Sequence, residues 1–182
     1  TADVAARFAA TFGAFVRQRA AGKPVNIILG RDGRAGCQMV HHAATAGLLS
    51  AGVGVVDIGV ATTPTTAVLT DDYAARYPEE AAAGLMLTAS HNPQQWNGLK
   101  CLLPGGGIHS ASAAAPPARD ANTIIESFKN GTVAAAPWDD IKPVTLEDDG
   151  TAIHIDRVLS ALDEAGFGDP SAIGNGLAVA VD

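Results

Sequence analysis

The sequence predicts a layered α/β domain, and three observations predict it. Short apolar runs of strand length recur at 25–29, 53–58, 83–88 and 99–103. Segments of helical composition precede and separate the first three of them. After Leu29 and again after Leu87 the chain turns abruptly polar, as it does where strands end in loops. The 182 residues are 47% hydrophobic and 17% charged, which excludes disorder and fits one domain, or one domain with part of another. Aromatics make up only 5%, so Ala, Val, Leu and Ile must build the core.

Val4, Phe8, Phe12, Phe15 and Val16 recur at helical spacing between Asp3 and Ala20, and Gly22-Lys23-Pro24 stops that helix. Val25 to Leu29 has the β-branched content and length of a buried strand ending at Gly30. Cys37 to Ala51 reads as a helix closed by Gly52, and Val53 to Ile58 as the second strand. Pro64 suits the first turn of a helix reaching Tyr73. Ala83 to Thr88 and Leu99 to Leu103 are the next strands, with Gly105-Gly106-Gly107 as the turn after them. A stop at Ala113-Ala114-Ala115-Pro116-Pro117 precedes a helix from Ala121 to Lys129. Thr132 to Gly150, with Pro137, Pro143 and the acidic run Glu147-Asp148-Asp149, reads as an inter-domain connection. A helix over Ile153–Ala165 and a strand over Leu177–Val181 then open a further unit. We therefore expect a first domain over 1–133, a linker over 134–150 and the truncated beginning of a second domain over 151–182.

A net charge of −7 argues against a nucleic-acid partner. The apolar runs are far shorter than the ~20 residues that span a bilayer, and no leader opens the chain, so a soluble cytoplasmic protein with no membrane partner is expected. Cys37 and Cys101 lack CxxC spacing and read as reduced thiols. The chain opens on Thr1 rather than Met, which points to missing upstream sequence.

Two segments carry candidate chemistry. Gly30-Arg31-Asp32-Gly33-Arg34-Ala35-Gly36 lies between a strand and a helix, where backbone N–H groups and two Arg side chains suit an anion. The competing reading is a tight turn in which Asp32 pairs with Arg34 and caps the helix. The segment is neither a Walker loop nor a dinucleotide-binding fingerprint. Thr88-Ala89-Ser90-His91-Asn92-Pro93 through Asn97-Gly98-Leu99-Lys100 places a hydroxyl, an imidazole, amides and an ammonium after a buried strand. Pro93 keeps Asn92 out of the helical region, and Asn97-Gly98 turns the chain so that Lys100 returns towards Ser90. Ser90 is then a nucleophile, a phosphoryl acceptor or a turn residue. With no G-x-S-x-G elbow, a Ser/His hydrolase is the weaker candidate. His41, His42, His109 and His154 lack metal-ligand spacing, and Asp71-Asp72 and Glu79-Glu80 read as solvated faces.

Taken together, Gly30-Arg31-Asp32-Gly33-Arg34, Asp57-Ile58-Gly59 with Thr63-Pro64-Thr65, and the Thr88–Lys100 segment resemble the α-D-phosphohexomutase family, which includes phosphoglucomutases, phosphomannomutases and phosphoglucosamine mutases. The resemblance covers about residues 25–110. It implies a three-layer α/β/α domain with a mixed sheet, the first of four domains around one cleft, plus the start of the second. It implies catalytic roles for Ser90, His91 and Lys100, with Ser90 carrying the phosphoryl group. Arg31, Arg34, Asn92 and Asn97 would bind substrate or phosphate.

The implied reaction interconverts hexose 1-phosphate and 6-phosphate through a phosphoserine enzyme and a 1,6-bisphosphate, which also serves as activator. Mg²⁺ would bind Ser90 through its phosphate, with carboxylates supplied by a later domain, since the family's Asp-x-Asp-x-Asp-Arg loop is not in this chain. The family's N-terminal strand with its Arg motif is also missing ahead of Thr1. The expected partners are a hexose phosphate and the remaining domains, and this fragment alone is expected to be inactive. Phosphoglucosamine mutase is an alternative within the family, and a non-catalytic sugar-phosphate-binding module is the alternative of another class.

Overall fold

A computed structural model describes residues 1–105, 112–131, 133, 135–169, 172 and 175–180. The elements run α1 (Ala2–Arg19), β1 (Val25–Arg31), α2 (Cys37–Ser50), β2 (Gly54–Val60), α3 (Thr63–Arg76), β3 (Ala81–Leu87), β4 (Leu99–Leu102), α4 (Ala118–Asn130), β5 (Val144–Leu146) and α5 (Gly150–Glu164). The five strands form one sheet in the order β4-β3-β1-β2-β5. All neighbours are parallel except β3 and β4, which pair antiparallel, so the sheet is mixed.

Alternate residues of each central strand face opposite layers, which is why these strands read as continuous apolar runs. On one side Ile27, Leu29, Val55, Leu85 and Leu87 pack against Phe12, Phe15, Val40 and Leu48 of α1 and α2, with Ile124 of α4 at the margin. On the other, Ile28, Val56 and Ala82 meet Leu69 of α3 and Ile153 of α5. The α/β/α layering follows from this two-faced burial. α1 and α2 cross so closely at Gly47 that a Cβ there would lie 2.1 Å from the Ala6 carbonyl oxygen. A ring contact of 5.5 Å between Phe8 and Phe128 holds α4 to α1.

Several expectations are corrected. The stretch read as a linker, 134–150, supplies the edge strand β5: Val144, Thr145 and Leu146 align with Val55, Val56 and Asp57. The exposed side of this strand and its flanking prolines hid it, since an edge strand need not be apolar on both faces. α5, expected to open a separate unit, lies against α3, with His154 Nδ1 3.0 Å from Thr65 Oγ1. Residues 177–180 form no strand; Leu177 and Val179 are exposed, and no described strand lies beside them. Val181, with Gly106, Gly107 and His109, lies outside the described residues. Of the two acidic pairs only Glu79 is exposed, the other three carboxylates being half-buried. Glu80 accepts hydrogen bonds from Tyr73 and Asn26, Asp71 accepts one from the Ala113 N–H, and Asp72 pairs with Arg76. Both cysteines are free thiols. No described helix is long and apolar enough to cross a membrane.

Candidate active site

β1, β2 and β3 are parallel, so their C-terminal ends lie on one edge of the sheet, where open α/β sheets place their ligands. Main-chain hydrogen bonds join these ends: Asp32 N–H donates to the Leu87 carbonyl at 3.0 Å, and Ala61 N–H to the Arg31 carbonyl at 2.8 Å. Near the end of each strand a side chain at that end closes a local turn, which in β2 is the irregularity before Val60 pairs with Arg31. Asp32 Oδ1 accepts from Arg34 N–H at 3.2 Å, Asp57 Oδ1 from Gly59 N–H at 2.9 Å, and Thr88 Oγ1 from Ser90 N–H at 3.0 Å. In all three an oxygen two residues upstream satisfies a backbone donor that the ladder no longer pairs.

Ser90 has a φ of +53°. For a residue with a Cβ this left-handed backbone costs about 1–2 kcal/mol, and surrounding contacts must hold it. Its exposed side chain accepts a hydrogen bond from Lys100 Nζ at 2.6 Å. The β3–β4 pairing explains the approach, because Lys100 aligns with Met86 while Gly98 folds back against Thr88. Thr88 N–H donates to the Gly98 carbonyl, and a Cβ on Gly98 would lie 2.8 Å from the Thr88 carbonyl oxygen, so the loop closes only over a glycine. His91 is exposed and makes no hydrogen bond among the described residues.

The Arg34 guanidinium is committed to this loop. Its Nε donates to Asp32 Oδ2 at 2.8 Å and its Nη2 to the Ser90 carbonyl at 2.7 Å. Nη1 lies 2.9 Å from the Trp96 carbonyl oxygen, 3.1 Å from that of Pro93 and 3.3 Å from that of Asn92. The side chain is 7% exposed. Arg34, expected to bind phosphate, is therefore a brace between two loops. Of the two readings of the Gly30–Gly36 segment, the Asp32–Arg34 turn describes these residues, although Asp32 does not cap α2, whose N-cap is Gly36. Arg31 is half-buried, and the one hydrogen bond its side chain makes among the described residues, 3.5 Å to the Asp32 carbonyl, is weak, so its guanidinium stays available.

The two Asn residues serve the loop as well. Asn92 Nδ2 donates to the Ala89 carbonyl, and Asn97 Nδ2 reaches the Ala35 carbonyl at 3.4 Å while its buried Oδ1 has no partner among the described residues. Thr88 entered the sequence reading only as part of its segment, and Asp32 only as the partner of Arg34 in the competing turn. Their signal was the hydroxyl or carboxylate two residues ahead of Ser90 and Arg34. Burial alone would raise the Asp32 carboxyl, but hydrogen bonds from the Arg34 side chain, the Thr88 hydroxyl and the Arg34 N–H outweigh it and leave the carboxyl below its ordinary value. Among the described residues no three His, Cys, Asp or Glu side chains gather to hold a metal. The donors present, one serine oxygen and a carboxylate already engaged by Arg34, do not fit Mg²⁺, which takes an octahedron of oxygens.

A family model described as phosphoglucomutase/phosphomannomutase, α/β/α domain I, matches residues 1–130. The chain belongs to this family. A phosphoglucosamine mutase of Rhodococcus erythropolis is 35% identical over 166 residues, covering 90% of this chain and 34% of that protein. A phosphoglucomutase/phosphomannomutase of Thermococcus kodakarensis is 31% identical over 149 residues, covering 81% of this chain and 29% of that protein. The chain thus spans about a third of the length of these curated relatives. A crystal structure of a phosphoglucomutase/phosphomannomutase family protein from Burkholderia thailandensis superposes with a TM-score of 0.63 at 23% identity, covering 88% of this chain and 32% of that one. At that identity the likeness concerns the fold. The mixed α/β/α architecture expected from the sequence is the architecture of this family's first domain.

Proposed function

We propose that this chain is the phosphoserine-bearing part of a phosphohexomutase, in which Ser90 receives a phosphoryl group and passes it to a hexose phosphate. The observation that carries the reading is the 2.6 Å hydrogen bond from Lys100 Nζ to Ser90 Oγ at the mouth of the sheet. Phosphoryl transfer asks for an in-line oxygen and fixed positive charge more than for elaborate covalent machinery.

When phosphoserine is the donor, the Oγ–P bond breaks as a sugar hydroxyl forms its own bond to phosphorus. Oγ takes a proton from the Lys100 ammonium as it leaves, and the hydroxyl proton passes to a base, for which exposed His91 is this chain's candidate. In the return step neutral Lys100 takes the Ser90 proton as phosphorus arrives, and the protonated base gives its proton to the sugar oxygen that leaves. Arg31, whose guanidinium is not committed to the loop, is the chain's candidate for the substrate phosphate. The net change is isomerisation between hexose 1-phosphate and 6-phosphate through a 1,6-bisphosphate. Magnesium belongs to the reading only through carboxylates outside these residues, and no step is assigned to it. These 182 residues alone should turn over little substrate.

The name of the Rhodococcus relative favours a second reading of the sugar, glucosamine phosphate. The test is to incubate the full chain of the protein with glucose, mannose or glucosamine 1,6-bisphosphate and locate phosphate by mass spectrometry. Phosphorylation at Ser90, lost in Ser90→Ala, supports the reading, and the sugar that works best names the substrate. Binding of a hexose phosphate with no modification of Ser90 would favour a non-catalytic sugar-phosphate-binding module instead.

A further inference from the structure

Both backbone polar groups of Ser90 are held by side chains, and one of these is braced by a carboxylate. The Ser90 N–H donates to Thr88 Oγ1 at 3.0 Å, and the Ser90 carbonyl accepts from Arg34 Nη2 at 2.7 Å. Arg34 donates to the Asp32 carboxylate from both Nε and its backbone N–H, and the Thr88 hydroxyl on the same strand end helps keep that carboxylate ionised. Asp32 itself leaves β1 on a hydrogen bond to the Leu87 carbonyl, one residue before Thr88, so the hub is fixed to the strand that delivers the serine.

This bracing matters because Ser90 occupies a backbone region that a non-glycine residue leaves when nothing holds it. Rotating φ back to the usual negative range would swing Oγ away from Lys100 and would break both peptide hydrogen bonds. A residue needed only for stability would have no reason to grip the peptide of the one exposed serine in the loop. Arg34 could not do this alone. Its guanidinium also faces the carbonyls of Asn92, Pro93 and Trp96, and it is Nε against Asp32 that sets which way Nη2 points.

We propose that Asp32 is a positioning residue for phosphoryl transfer: acting through Arg34, and alongside the Thr88 hydroxyl that holds the serine N–H, it locks the Ser90 backbone in the left-handed conformation that aims Oγ at Lys100. The proposal rests on Ser90 being the phosphoryl carrier. It assigns Arg34 no direct contact with the transferred phosphate.

Thr88→Val is the cleanest probe, because valine keeps the buried shape and removes only the hydroxyl; Thr88→Ser restores that hydroxyl. In the full chain, with a hexose 1,6-bisphosphate as donor, Thr88→Val and Asp32→Asn should slow phosphorylation of Ser90 by about 100-fold, the loss typical of a misplaced reacting atom. The half-saturating bisphosphate concentration should not change, and Thr88→Ser should recover the rate. Hydrogen exchange of the Ser90 amide, measured without substrate, should accelerate in Thr88→Val and in Arg34→Gln while the melting temperature of Thr88→Val holds. A rate in Thr88→Val equal to wild type would overturn the proposal, as would a weakened half-saturation with the rate unchanged, which would make these side chains substrate contacts. Wild-type protein that never gains phosphate on Ser90 sinks the mutase reading separately. In that case the exchange measurement still decides whether Asp32, Arg34 and Thr88 hold the serine backbone.

Discussion

Lys100 Nζ lies 2.6 Å from Ser90 Oγ although ten residues of chain separate them. The antiparallel register of β3 and β4, with Leu87 opposite Leu99 and Met86 opposite Lys100, returns the ammonium to the loop that carries the serine. Ser90 is exposed, Lys100 is half-buried and their contact is open to solvent, so it contributes little to stability. Lys100→Met should therefore leave the melting temperature within experimental error and slow phosphoryl transfer to and from Ser90 by roughly 10²–10³-fold, the usual loss when one preorganised donor is removed. Rapid-quench measurement of phosphoserine formation checks this. A wild-type rate in Lys100→Met would remove the lysine from the reaction.

The α1–α2 crossing makes a prediction about the scaffold. A Cβ at Gly47 would sit 2.1 Å from the Ala6 carbonyl oxygen and 2.8 Å from its carbon, and backbone cannot step aside as a flexible side chain does. Gly47→Ala should destabilise the domain by about 1–3 kcal/mol through overpacking. For a chain of this size that lowers the melting temperature by roughly 2–12 °C. An unchanged thermal melt would mean that the helices separate at no cost.

Much of this geometry was legible in the residues. The strands at 25–29, 53–58, 83–88 and 99–103 were visible because buried parallel strands are apolar on both faces, and Gly98 after Asn97 announced the turn that brings Lys100 back. β5 was not legible, because Val144, Thr145 and Leu146 form three exposed edge residues between a proline and an acidic run, and only their pairing with β2 makes them a strand. The role of Arg34 was hidden for a different reason. An arginine in a glycine-rich loop after a strand suits an anion, and sequence does not show that the carbonyls of Ser90, Pro93 and Trp96 have already taken its donors. His41 gave no metal signal, and it lies instead with its Nε2 3.1 Å from Asp57 Oδ1, between α2 and the end of β2.

The two thiols should be slow to react. Burial pushes the Cys101 thiol up to about 12, and burial followed by the nearby Asp32 charge raises that of Cys37. The thiolate is the nucleophile, and at pH 8 a thiol of that value is ionised on the order of once in ten thousand molecules. Iodoacetamide at pH 8 should leave both cysteines unmodified in the folded protein and label both in denaturant. Rapid labelling of the half-buried Cys101 without unfolding would show that its thiol is not held in the neutral form.

Two carboxylates should give the protein opposite responses to pH. Asp71 is raised because burial outweighs its hydrogen bond from the Ala113 N–H and the attraction of Arg157. Its stabilising effect is present below the unfolded carboxylate value of about 3.9 and is lost as pH rises through the higher folded value. Asp32 is lowered, because its hydrogen bonds from Arg34 and Thr88 outweigh the effect of burial, so its contribution is present above that unfolded value and is lost as pH falls through the lower folded one. Urea melts across pH 2–7 separate the two. Asp71→Asn, which keeps an oxygen for the Ala113 N–H, should be at least as stable as wild type at pH 7, with the difference closing in acid. Asp32→Asn should be less stable at pH 7 and should converge on wild type as Asp32 itself becomes protonated. An Asp32→Asn deficit that persists unchanged at pH 2 would show that the oxygen's geometry, rather than the carboxylate's charge, holds Arg34 against the serine loop.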